Sequence, residues 1–109
     1  METGKAMVLR YLRGLKSIDR SDSKFREESI EGEYNRIDFS DAEGGKLVIK
    51  SPEFTNYLDL SDGEFNKVVL EGWFNIVDAS GARIKLFNTR RAEIVDLDDS
   101  KAEIEERRK

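Results

Sequence analysis

The 109-residue chain has no cysteine and no histidine, a net charge of −4, and charged side chains at 39% of its positions. That length suits a single domain, residues 1–109, able to bury one core without staples. The missing cysteines exclude disulfides, zinc–thiolate centres and thiol nucleophiles, and fit a reducing, cytoplasmic setting.

Residues 1–28 carry seven basic and five acidic side chains. Within them, residues 7–18 place Val8, Tyr11, Leu12, Leu15 and Ile18 on one face of a helical period. Arg10, Arg13 and Lys16, continued by Arg20, fall on the other, which predicts an amphipathic N-terminal helix. Gly14 costs such a helix about 1 kcal/mol relative to alanine, and Met7, Leu9 and Tyr11 also alternate as a strand would. The run is too short to span a bilayer and its basic face is mixed with acids, so the expected role is to cover one end of the domain, not to lie on a membrane. Residues 19–28 are polar and read as a loop.

The middle of the chain matches itself. At an offset of 40, Glu31, Gly32, Asn35, Asp38 and Ser40 meet Glu71, Gly72, Asn75, Asp78 and Ser80, while Tyr34 meets Phe74 and Ile37 meets Val77. Dropping three residues in a turn changes the offset to 37. Leu47 and Ile49 then meet Ile84 and Leu86, and Asp59, Leu60 and Asp62 meet Asp96, Leu97 and Asp99. These matches define two β repeats, 29–62 and 67–99, each read as three strands rich in β-branched and aromatic residues. The glycine-containing turns 42–45 and 80–82 read as hairpin loops. Gly32 and Gly72, inside their strands, mark a bend or a close backbone approach. Neither repeat buries its apolar face alone, so the expected fold is mainly β: a six-stranded curled sheet or small barrel.

Residues 100–109 open with Ser100 and Glu103 at capping-box spacing and end in Arg107, Arg108 and Lys109. That pattern predicts a short, charged C-terminal helix.

Candidate sites are few. With histidine and cysteine absent, acid–base chemistry would fall to carboxylates, lysine or tyrosine. The recurring pairs Asp38/Asp78 and Asp59/Asp96 have the composition of a carboxylate dyad, yet they sit beside serine and glycine, where aspartate closes turns. The acidic runs 59–64 and 96–99 lack the alternating ligands of a calcium loop. No catalytic residue, metal or cofactor is therefore expected. Trp73 alternates with Phe74, so one of the two faces outward. Trp73, Phe87, Arg90 and Arg91 are the expected contact residues of a non-enzymatic protein-interaction module that binds a protein partner or itself as a homo-oligomer. The alternative is a single-stranded nucleic-acid binder using Trp73, Arg83, Lys85, Arg90 and Arg91. A carboxylate-dependent enzyme or divalent-metal binder is the third reading.

Overall fold

A computed structural model describes residues 16–109. They form seven strands and no helix: β1 (Ser17–Asp19), β2 (Lys24–Glu31), β3 (Tyr34–Asp38), β4 (Glu43–Asp59), β5 (Glu64–Asp78), β6 (Arg83–Asp98) and β7 (Glu103–Arg108). Every strand pairing is parallel. Glu43, Glu64, Arg83 and Glu103 are successive partners, 21, 19 and 20 residues apart. After each such stretch the chain has returned to a point one strand spacing, about 4.8 Å, from where it began. A path of that kind is a coil, and the molecule is a parallel β-solenoid. The first half of each coil is β2, the opening of β4, β5 and β6, and β7. The second half is β1, β3 and the closing part of β4, β5 and β6.

Two corners turn each coil. At one, the sequence Asp-x-Ser recurs five times, at Asp19, Asp38, Asp59, Asp78 and Asp98. In every copy the aspartate Oδ1 accepts the N–H of the serine two residues on at 2.8–3.0 Å and its hydroxyl at 2.5–2.7 Å. This side-chain bond mimics a backbone turn. The next residue takes a left-handed conformation, with φ of 57° to 59° at Asp22, Asp41, Asp62 and Lys101, and 68° at Gly81. At the other corner Gly72 lies beside Ser51 with φ +102°, and a Cβ there would strike the Ser51 carbonyl oxygen. Gly32 occupies the same corner two coils earlier, donating its N–H to the Lys50 carbonyl.

The core is a stack of like residues. Ile18, Ile37, Leu58, Val77 and Leu97 follow one another in register, as do Leu47, Val68 and Phe87, and Ile30, Ile49 and Leu70. Burial closes on itself because each coil shields the next. Gly44 leaves room for the Phe25 ring, which meets Phe39 edge-on at 5.7 Å. The buried pair Ser51 and Thr55 satisfy each other at 2.9 Å, and among the described residues no buried side-chain polar atom lacks a partner.

These findings correct several sequence expectations. The barrel or curled sheet of two three-strand repeats is replaced by the solenoid: of the two expected hairpin loops, 80–82 is a coil corner, and in 42–45 Gly44 and Gly45 lie inside strand β4, after a corner turned at Asp41. The offset of 40 spans two coils, and the true period is half of it. No gap falls in the turn: Leu47 stacks in register with Val68 and then Phe87, not with Ile84. The expected N-terminal helix 7–18 lies mostly outside the described residues, but its end, from Ser17, is strand β1. The expected helix within 100–109 is strand β7: Ser100 belongs to the fifth Asp-x-Ser turn, and the Glu103 N–H is donated to the Ala82 carbonyl.

Candidate functional site

The aspartates that could suggest chemistry are held in structure. Asp38 and Asp78 lie two strands apart on either side of Asp59, and Asp96 stands beside Ile76, away from the aspartate column, so neither recurring pair converges. Asp59 is 7% exposed; its Oδ2 accepts from Arg36 at 3.1 Å, and the Arg36 guanidinium lies 4.9 Å from the centre of the Tyr57 ring. The Tyr57 hydroxyl donates to Asp78 Oδ2 at 3.1 Å, and burial, followed by this bond and the nearby charges of Asp78 and Asp59, raises its pKa against the opposing pull of Arg36. At the two ends of the aspartate column, hydrogen bonds from Ser21 and from Ser100 hold the carboxyls of Asp19 and Asp98 below the usual carboxylate range. Among the described residues no group of acidic side chains is arranged to hold a metal ion, and no helix is long and apolar enough to cross a membrane.

The outer surface carries charge ladders of mixed sign. Lys24, Glu43, Glu64, Arg83 and Glu103 are successive neighbours; Arg83 reaches Glu64 at 3.6 Å and Glu103 at 3.4 Å. A second ladder alternates Glu31, Lys50, Glu71 and Arg91. Arg83 and Lys85 line an open groove of about 840 Å³ together with Lys24, Arg26, Glu43, Glu64, Glu103 and Glu105. Arg90 and Arg91 line a separate depression of about 290 Å³ beside Glu71 and Asn88. The four basic residues of the nucleic-acid reading therefore divide between two places, each of which holds acids as well, and Trp73 lines neither. Trp73 faces outward at 54% exposure, with Phe74 buried at 1%; it stands beside Glu93 and diagonal to Arg91. Phe87, expected as a contact residue, is a core side chain at 2% exposure.

The ends of the stack carry a feature the sequence reading missed. β7 covers only residues 83–88 of β6, so among the described residues the outer edge of 92–98 faces no strand. There Ile94 and Leu97 are half-covered, and Val95 is 76% exposed. At the opposite end, among the described residues, β1 and β2 pair on one side only, with β3 and β4. The signal that could have found these ends is the five-fold Asp-x-Ser spacing, which sets the phase of every coil. It shows that β1 has the phase of a second half and β7 that of a first half. No protein-family model, curated protein or solved structure matches this chain.

Proposed function

We propose that the chain is a non-enzymatic assembly module that associates through the open strand edges at the ends of its solenoid, with a further copy as its partner. The observation that carries this reading is the edge of residues 92–98, which faces no strand among the described residues and carries half-covered Ile94 and Leu97 and exposed Val95. A strand edge of this kind is a template for another strand. The turn aspartates support the same reading, since their carboxylates are already engaged by serine in every coil. Mixed-sign ladders favour a protein surface over a polyanion, which needs a concentrated positive field.

Light scattering across a hundredfold range of protein concentration tests the reading. The expected result is a mass that rises with concentration and falls back when Val95→Lys places a charge on the edge. A mass that stays at one chain throughout, together with oligonucleotide binding that weakens steeply with salt, would replace it with the single-strand reading built on Trp73, Arg83, Lys85, Arg90 and Arg91.

A further inference from the structure

Among the described residues, the two ends of the stack present complementary halves of one coil. Building on the self-assembly reading, we propose that copies join head to tail, β1 of one copy completing the coil that β7 of the next one opens. The result is a continuous solenoid filament. Carrying the internal register across the joint sets Ser17, Ile18 and Asp19 on Asp96, Leu97 and Asp98, just as Arg36, Ile37 and Asp38 sit beside Tyr57, Leu58 and Asp59 inside the chain. The same step sets β2 on β7.

The side chains that meet are matched. Lys24 comes onto Glu103, Arg26 onto Glu105, and Glu28 onto Arg107, giving three opposite-charge neighbours. Phe25 comes onto Ile104 and Ile18 onto Leu97, extending two core columns whose terminal members are only partly buried. Two like-charge pairs also form: Glu27 onto Glu106, where Glu27 already lies 3.7 Å from Lys46 of its own chain, and Asp19 onto Asp98, a stacking the chain already makes with Asp38, Asp59 and Asp78. Asp19 with Ser21 repeats the turn of Asp98 with Ser100, so the aspartate column also runs on. The contact is heterologous: each copy uses two different surfaces. A rise along the coil axis does not close into a ring, so growth continues. Each copy adds five coils, about 24 Å of filament at about 4.8 Å per strand.

Because the chain has no cysteine, an introduced pair reads the joint directly. Ser17→Cys and Asp96→Cys face outward on neighbouring strands of the joint, about 4.8 Å apart between Cα atoms, within disulfide reach. On mild oxidation, a mixture of the two single variants is expected to give cross-linked dimer, at least tenfold more than either variant alone, and the double variant is expected to give a ladder of covalent oligomers. Lys24→Glu with Arg26→Glu is expected to raise the concentration for assembly at least tenfold, and mixing it with Glu103→Lys plus Glu105→Lys to restore joining. Circular dichroism confirms that each variant keeps its strand content. Self-association without the Ser17–Asp96 cross-link overturns the head-to-tail joint while leaving self-assembly standing. Cross-linking of Ser17→Cys to itself at equal yield overturns it in favour of a head-to-head pair. A chain that stays monomeric overturns both readings.

Discussion

Asp59 shows how much one carboxylate does in this fold. Its Oδ1 takes two hydrogen bonds from Ser61 and its Oδ2 one from Arg36, at a site only 7% exposed. Removing it strands the Ser61 N–H at a corner and leaves Arg36 without its nearest anion. Asp59→Ala is expected to lower the unfolding free energy by about 2–4 kcal/mol in a urea titration, and Asp19→Ala, at the solvent-exposed end of the column, by clearly less. Asp19 and Asp98 carry lowered pKa values because serine hydrogen bonds hold their ionised forms. Their contribution is complete above the unfolded carboxylate value of about 3.9, and it is lost as pH falls through their lower folded values. Tyr57 works in the opposite sense. Its folded pKa is raised, so its neutral form is the stabilised one. That contribution is complete below the unfolded value of about 10, and it is lost as pH rises through the folded one. Ultraviolet titration should show a tyrosine phase above the ordinary value of about 10, and Tyr57→Phe should remove it. A Tyr57 that ionises at the ordinary value would mean that its burial and the Asp78 hydrogen bond are not kept in solution.

At the scale of the coil, glycine at the second corner separates what sequence shows from what it hides. Gly72 packs against the Ser51 backbone at φ +102°, where an added methyl meets a carbonyl that cannot swing away. Gly72→Ala is expected to cost about 3 kcal/mol or more, combining left-handed strain with overpacking. Gly32→Ala, at φ +144°, meets only the Tyr34 ring, a side chain able to shift, and should cost less by the same urea measurement. Equal costs would mean the corner relaxes at Gly72. The shared role of these two glycines was legible in the chain, and so was the opposition of Trp73 and Phe74. Parallel pairing was not, because alternation of apolar and polar residues is the same whichever neighbour a strand has. The 20-residue period was hidden by alternate coils. The corner residues Gly32 and Gly72 match each other better than either matches Ser51 between them, and 52–54 lengthen that coil. The clearest signal was polar: Asp-x-Ser at every coil, with Asn35, Asn56 and Asn75 joined in a hydrogen-bonded ladder at 3.2 and 2.9 Å. Reading Ser100 and Glu103 as a helix cap discarded the fifth copy of the first.

For the whole molecule, each coil contacts only its neighbours, so stability is the sum of coil contributions and junctions between them. The middle coils bury their side chains fully: Leu58, at 0% exposure, sits between Ile37 and Val77, whereas Ile104 and Ile18 are only half-covered. Leu58→Ala is expected to cost about 3–5 kcal/mol and to interrupt the stack at its centre, while Ile104→Ala should cost about 1 kcal/mol, since less apolar area leaves the core. Amide exchange follows the same gradient, with the slowest sites in β4 and β5 and the fastest in β1, β2 and β7. Joining of copies alters that gradient in a way no internal change can. Raising the protein concentration should slow exchange at 17–19, 24–31, 92–98 and 103–108, while sites in the middle of β4 and β5, already flanked by strands on both sides, change far less. A uniform slowing across all strands would instead point to stabilisation of the fold as a whole, and slowing confined to 92–98 would mean that only one edge is engaged.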